Sequence, residues 1–413
     1  MSLSTALIII GDEILEGRTR DSNGYWLARR LKEVGLGLSE ILVVSDNLAD
    51  LSKLFKDCLA KYRVIFISGG LGPTLDDVTK QALADATSNK ILESSQGAEM
   101  AKENYLRYGK EWTPVLNSYH MVPENFNAVT NPKGLAPGLV YCNENSMLLA
   151  APGVPWEFEE MVDSVFLPIL KKEFPKQLKR MQELVICTRF IPEEKIFGEL
   201  CPNLWKDLSA FGKVSSLPQV LGINIIVRAA DLDEEKRDQI VELINSTELS
   251  EYVWQYGSLS LPELIIKKAC EKGLSIGMAE SCTGGLSASR LTDIPGSSAV
   301  FMGSLVTYSN QAKEKLLGVK EKTLLDHGAV STETVEEMAI GAREKLDCDF
   351  AIAFSGIAGP GGGSDEKPVG TLAFALSGPN QTYSKLINYR GDRLKLKNRF
   401  SEFGLFKLLE ALS

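Results

Sequence analysis

The chain has 413 residues, 44% of them hydrophobic and 24% charged, with a formal net charge of −9. That length exceeds one ordinary core and predicts two or three domains, and the acidic balance argues against a broad nucleic-acid surface, which needs clustered lysine and arginine. The longest apolar runs, such as ALIIIG at 6–11, fall well short of the roughly 20 residues of a membrane span. No charged leader followed by an apolar stretch opens the sequence. Seven cysteines without a CxxC pair, beside only two histidines, fit reduced thiols better than a disulfide framework or a zinc centre. These features point to a cytoplasmic location and small-molecule partners, with neither membrane nor nucleic acid involved.

TALIII at 5–10 reads as a buried strand, and NGYWLARRLKEV at 23–34 puts Leu27, Leu31 and Val34 on one helical face, with Gly35 placed to end the helix. EILVVS, LADLSKLFKDCLAKY and RVIFIS follow as strand, helix and strand. This β-α-β-α-β order predicts a parallel sheet with right-handed crossovers. Two of the strands run into acidic, glycine-containing loops: IIIGDEILEG carries Asp12 and Glu13, and IFISGGLGPTLDDVT carries Asp76 and Asp77. Both loops emerge at the carboxyl edge of such a sheet, where open α/β folds bind ligands. Gly69, Gly70 and Gly72, with Pro73 and Thr74 beside them, allow backbone amides to approach a phosphate, and the four carboxylates can hold a divalent cation on it. Thr74 with Asp77 three residues on also reads as a capping box. One such loop is more simply a cap; two converging on one sheet edge favour a site.

From about 175 to 255 the texture changes to a small α+β module, with the strand ELVICTRFI, a helix interrupted by Pro202, two short strands in KVSSLPQVLGINIIVRA and the charged helix DEEKRDQIVELINS. SLSLPEL at 258–264 reads as a linker entering a helix capped by Ser260, with Pro262 in the first turn. From there α/β alternation returns.

The C-terminal region holds three stretches with chemical content: GMAESCTGGLSAS at 277–289, GSLVTYSNQAKEKLLGV at 303–319 and AFSGIAGPGGGSDEKPVGT at 353–371. Ser281 after a strand is an N-cap or a nucleophile. Cys282 beside it is the intrinsically stronger nucleophile. A serine nucleophile needs a base, and with two histidines outside any motif the economical base is a lysine of lowered pKa, Lys313, near the start of a helix that Ser309 or Asn310 can cap. Backbone amides at 282–284 are candidates for an oxyanion hole, worth about 3 kcal/mol per donor.

With GDEIL, SGGLGPTLDDVT and APGVP at 151–155, these stretches resemble the CinA family along nearly the whole chain, in family order and spacing. The resemblance implies an α/β multidomain protein. Residues 1–172 would form a molybdopterin-binding-like α/β/α domain, 173–256 a KH-like α+β connector, and 259–413 an α/β/α nicotinamide mononucleotide deamidase domain. It implies hydrolysis of the nicotinamide amide to nicotinate mononucleotide and ammonia without a cofactor, a metal-dependent ADP-ribose pyrophosphatase activity in the first domain, and a homodimer.

Carried onto this sequence, the family's serine, tyrosine and lysine fall on Ser281, Tyr308 and Lys313. Substrate contacts would come from Glu280, Cys282, Thr283, Gly284, Ser309, Asn310, Ser355, Gly356, Gly359 and Gly361. The family's TGIAGP stands here as SGIAGP, so Ser355 replaces a threonine and keeps its hydroxyl. Near GDR, position 397 is lysine where the family has arginine, which leaves Lys397 and Arg399 as alternatives for the phosphate-binding cation. The connector lacks the glycine–x–x–glycine loop that clamps nucleic-acid backbone in KH modules. Two rival readings stand beside this one: the N-terminal pyrophosphatase as the principal activity, or a non-catalytic pterin-binding or DNA-uptake scaffold.

Overall fold

The computed structural model of the chain describes residues 3–178 and 181–413 and divides into two compact units, Met1–Gln182 and Glu183–Ser413. In the first unit, β1 (Thr5–Ile10) is followed by α1 (Asp12–Leu15), α2 (Asn23–Glu33), β2 (Glu40–Val44), α3 (Leu48–Lys61), β3 (Val64–Ser68) and α4 (Thr79–Thr87). Then come β4 (Ile91–Glu93), α5 (Ser95–Arg107), β5 (Met121–Pro123), β6 (Asn127–Val129), β7 (Gly138–Cys142), β8 (Met147–Ala151), α6 (Pro155–Met161) and α7 (Leu167–Glu173). The main sheet has the order β2-β1-β3-β8-β7-β6. The first four strands are parallel, as the β-α-β-α-β pattern predicts, while β7 and β6 complete the sheet antiparallel.

Every residue of β1, β3 and β8 is buried, whereas β2 alternates because it lies at the edge. Leu27, Leu31, Phe158 and Phe166 fill one face and Leu51, Phe55 and Leu83 the other, which gives three layers around two cores. The helix α2 stops where Gly35 adopts φ 82°, the left-handed conformation that the sequence assigns to that glycine.

The second unit opens with β9 (Gln182–Thr188), α8 (Glu193–Lys195), α9 (Leu204–Ser209), β10 (Lys213–Gln219), β11 (Gly222–Ala229), α10 (Glu234–Asn245) and β12 (Val253–Tyr256). Its four strands form a sheet of order β10-β11-β9-β12 whose core includes Ile186, Leu208, Ile225 and Ile240. The next helix, α11 (Leu261–Lys272), starts with a full capping box: the Ser260 hydroxyl accepts from the Glu263 amide, and the Glu263 carboxylate accepts from the Ser260 amide.

After it come β13 (Ile276–Glu280), α12 (Leu286–Thr292), β14 (Phe301–Val306), α13 (Asn310–Leu317), α14 (Glu321–His327), α15 (Thr332–Lys345), β15 (Phe350–Gly356), β16 (Thr371–Ser377), β17 (Thr382–Asn388) and α16 (Arg393–Ala411). The sheet order is β14-β13-β15-β16-β17, with β13 parallel to both neighbours and the last two strands antiparallel. One face packs against α11, α12 and α16 through Ile265, Leu291, Phe400 and Leu405; the other packs against α13 and α15 through Leu317, Val335 and Met338. Both sides of the four-stranded sheet's seam with α16 belong to this unit: Phe190 lies 6.1 Å from Phe403 and 5.7 Å from Phe406, Trp254 lies 5.2 Å from Phe406, and Arg189 pairs with Glu410 at 2.6 Å.

Candidate functional site

The carboxyl end of β13 delivers the chain into the turn Ser281–Gly285 between its two parallel neighbours. Side chains alternate across a strand. Ala279 therefore faces the α15 side with the core there, and Ser281, two residues on, points the same way. Gly284 at φ 64° and Gly285 at φ 92° reverse the chain into α12 in a conformation other residues adopt only under strain, which is the local reason for the double glycine. Glu280 holds the turn from beneath. It is 0% exposed, and its carboxylate accepts from the amides of Gly285 (3.0 Å), Ser287 (3.1 Å) and Ala288 (2.9 Å) and from the Ser304 hydroxyl (3.3 Å). Glu280 thus caps α12 and is fully used by its own turn instead of facing a ligand.

Lys313 comes to the same point from α13, whose first turn the Ser309 hydroxyl caps by accepting from the Ala312 amide at 3.2 Å. The Lys313 side chain is 1% exposed, and its Nζ lies 3.1 Å from Ser281 Oγ, 2.9 Å from the Thr307 carbonyl and 3.4 Å from the Tyr308 carbonyl. Among the described residues no carboxylate pairs with it, and burial holds its pKa below the ordinary lysine value. Nζ donates to two carbonyls, which can only accept, and to the Ser281 hydroxyl; once it is deprotonated, its lone pair can instead accept the serine O–H. Cys282, by contrast, is buried with its thiol pushed up to about 12, so it stays protonated beside its neighbour. The Gly284 amide donates to the Ser281 carbonyl at 3.1 Å, whereas those of Cys282 and Thr283 face the Cys282 sulfur.

A cavity of about 200 Å³ opens onto this pair. Ser281, Cys282, Tyr308, Asn310, Lys313, Ser355 and Gly356 all line it. Ser355 is oriented by donating to the Ala329 carbonyl at 2.6 Å, and a side chain at Gly356 would collide with the Thr371 carbonyl at 2.7 Å. Thr283 lies buried beneath, its hydroxyl unpaired among the described residues. Tyr308 is 64% exposed at the rim.

The residue that sequence reasoning passed over is Arg393, the third letter of GDR. It lines the cavity and donates to the Gly359 carbonyl at 2.7 Å and to the Tyr308 hydroxyl at 3.2 Å. Helical geometry explains the miss. Asp392 caps α16 and makes Arg393 its first residue; Lys397, four residues on, stays on nearly the same face, while Arg399 lies well around the helix. Accordingly Lys397 Nζ is 3.7 Å from where a side chain on Gly284 would begin, whereas Arg399 donates to the Arg390 carbonyl and lines a different cavity, with Tyr389 and Phe190. Gly361 is exposed in the loop beyond Gly359 and lines no part of the Ser281 cavity.

In the first unit both acidic loops do emerge at the carboxyl edge of the sheet, after β1 and β3. The glycine loop is largely satisfied by itself. The Gly69 amide donates to the Ala151 carbonyl, Asp77 accepts from the amides of Gly72 (2.8 Å) and Thr74 (2.9 Å) and from the Thr74 hydroxyl, and Pro73 has no amide to offer. Asp77 therefore closes its own loop; α4 begins at Thr79 with Val78 at its N-cap and no side-chain cap, so the Thr74–Asp77 capping box does not form.

A carboxylate that sequence reasoning omitted, Asp46 at the end of β2, joins Asp12, Glu13 and Asp76 instead. It accepts from the Asp12 amide at 3.2 Å, and its pKa is raised by burial and then by the charges of those three neighbours. An all-oxygen set of this kind suits a hard divalent cation that keeps several waters. Among the described residues no three His, Cys, Asp or Glu side chains already form a cation cage.

A buried amine set on a serine hydroxyl at the end of an α/β strand is an arrangement that can support nucleophilic chemistry at that hydroxyl. Residues 258–412 match the family model described as "CinA C-terminal domain", and residues 6–172 that described as "Probable molybdopterin binding domain". A CinA-like protein of Shewanella denitrificans is 38% identical over 98% of this chain and 95% of its own length. The nicotinamide-nucleotide amidohydrolase PncC of Shewanella oneidensis is 37% identical over 92% of this chain and 89% of its own. A solved structure, competence/damage inducible protein CihA from Agrobacterium tumefaciens, is 42% identical over 38% of this chain and 99% of its own, with a TM-score of 0.36. This chain belongs to the CinA family. Among the described residues no helix is long and apolar enough to cross a membrane.

Proposed function

We propose that residues 259–413 hydrolyse the carboxamide of nicotinamide mononucleotide to nicotinate mononucleotide and ammonia. The observation that carries this reading is the 3.1 Å approach of a buried, carboxylate-free Lys313 amine to Ser281 Oγ. The name of the Shewanella oneidensis relative supplies the substrate. Lys313 takes the Ser281 proton as Oγ bonds to the amide carbon. The carbonyl electrons move onto oxygen, where backbone amides of the Ser281–Gly285 turn would serve as donors. Collapse of this intermediate breaks the C–N bond, and the proton held by Lys313, relayed by Tyr308, leaves with the amine as ammonia. Water then attacks the acyl-serine and returns the proton to Ser281. Arg393, with Lys397 nearby, supplies positive charge for the nucleotide phosphate.

A second reading assigns the first unit a metal-dependent ADP-ribose pyrophosphatase activity. The nearness of Asp12, Glu13 and Asp76, whose charges act on Asp46, favours it, although among the described residues no three of these side chains are placed to hold a cation together. A cation held by these carboxylates would polarise a phosphoryl oxygen, and Gly70 would let the backbone approach that phosphate. The proposed protein is cytoplasmic and homodimeric, with 1–172 and 259–413 as catalytic domains and 173–256 as a connector. Purified protein given nicotinamide mononucleotide is expected to release ammonia equally with and without a chelator. Absence of ammonia release refutes the amidase reading.

A further inference from the structure

The seam between the four-stranded sheet and α16 encloses a cavity of about 380 Å³ that shares no lining residue with the Ser281 cavity. That volume is at the lower end of small-ligand pockets, which run from roughly 300 to 1,000 Å³. Its aromatic wall is Trp254, held edge-to-face on Phe406 at 5.2 Å and 86°. Arg290 and Glu402 line the same cavity. Arg290 gives one Nη to the Ser401 hydroxyl and the other to Glu402, which leaves part of its five-donor guanidinium uncommitted. Asn224, half-buried, and Ser258, exposed to solvent, also line the cavity. An accidental packing void is small and apolar; this one is roomy and presents a partly used guanidinium and two polar side chains.

The lining also selects a charge. Arg290 is the cavity's one cation, and Glu402 its one anion. Arg290 and Glu402 are paired at 2.5 Å, so the guanidinium's remaining N–H groups offer hydrogen bonds to one anionic group, while the neutralised pair adds little further charge to hold a second. We propose that this cavity is a second small-molecule site, for a planar heteroaromatic ring bearing one negative charge. The ring lies on Trp254, its charge on Arg290, and its edge on Asn224 and Ser258. Arg290 belongs to α12, the helix whose N-terminal amides Glu280 holds, so the occupant and the Ser281 turn share one scaffold. The assignment does not rest on the amidase reading.

The test is equilibrium dialysis of the full chain with nicotinate, a pyridine ring with one carboxylate, against neutral nicotinamide and dianionic AMP. Nicotinate is expected to bind saturably and more tightly than either control. Arg290→Lys and Trp254→Ala should each weaken it by about tenfold or more, the loss of one charge-assisted or stacking contact. Asn224→Ala serves as an independent variant should either of these disturb folding, and it should weaken nicotinate binding in the same direction. Arg393→Ala, at the other cavity, should leave binding unchanged. Absence of saturable nicotinate binding overturns the proposal. So does binding lost in Arg393→Ala but kept in the Arg290, Trp254 and Asn224 variants, and nicotinamide or AMP binding as tightly as nicotinate overturns the charge selection.

Discussion

Two nucleophiles sit side by side at the end of β13, and their surroundings separate them. Ser281 has an amine on its oxygen, while burial keeps the Cys282 thiol protonated, with a pKa of about 12. Ser281→Ala is therefore expected to abolish ammonia release and leave the fold intact, whereas Cys282→Ala keeps most of the turnover; the opposite result in steady-state assays would make this a thiol enzyme. The pH profile carries a second expectation. Protonated Lys313 cannot accept the serine proton, so kcat/KM should rise with pH through the Lys313 pKa, below the ordinary lysine value because of burial. Stability moves the same way: between the lowered folded pKa and the unfolded value the unfolded chain binds more protons, so the Lys313 contribution grows as pH rises across that window. A kcat/KM profile that is flat or falling over the acid limb would remove Lys313 from the role of base. Arg393→Ala, which takes a charged donor from the cavity, should lower kcat/KM by about 10- to 100-fold, mainly through KM.

The turn between β13 and α12 is the element on which this geometry depends. Glu280→Gln replaces an acceptor-only carboxylate with an amide whose NH2 must face backbone N–H donors. It should destabilise the protein by about 1–3 kcal/mol and lower turnover by shifting Ser281. Urea unfolding beside ammonia release checks both, and unchanged stability would deny Glu280 this role. The elements themselves were readable in the sequence where a local signal sets them: the apolar run of β1, the glycine ending α2, the Ser260–Glu263 box opening α11. The pairing of Ser281 with Lys313 followed from the inventory of bases. Long-range geometry was not readable in this way. Glu280 looks like a ligand contact until its oxygens are seen to be taken by residues five to eight positions on. Arg393 and Arg399 differ only in which way α16 faces, and Asp46 joins Asp12 only because β2 lies beside β1.

On the scale of the whole molecule, the two candidate sites lie in different compact units and rest on different chemistry: carboxylate oxygens in one, a buried lysine amine and a hydroxyl in the other. A chelator is accordingly expected to abolish ADP-ribose cleavage and spare amide hydrolysis; equal loss of both activities would refute separate sites. The second unit contains two sheets with separate cores. The C-terminal sheet has cores on both faces and every residue of the Ser281 cavity, so the fragment 259–413 should fold and release ammonia. Removing the four-stranded sheet uncovers Phe403 and Phe406 and leaves Glu410 without Arg189, all on the helix that begins with Arg393. Exposure of two aromatic rings forfeits about 1.5–3 kcal/mol for each fully uncovered side chain, so the fragment should melt below the full chain. With the N-terminal end of α16 less firmly held, KM should rise more than kcat falls. Differential scanning calorimetry and steady-state kinetics on both proteins test this. A fragment that folds without activity would show that upstream residues complete the site, and one with unchanged melting and KM would show that the aromatic seam contributes nothing to α16.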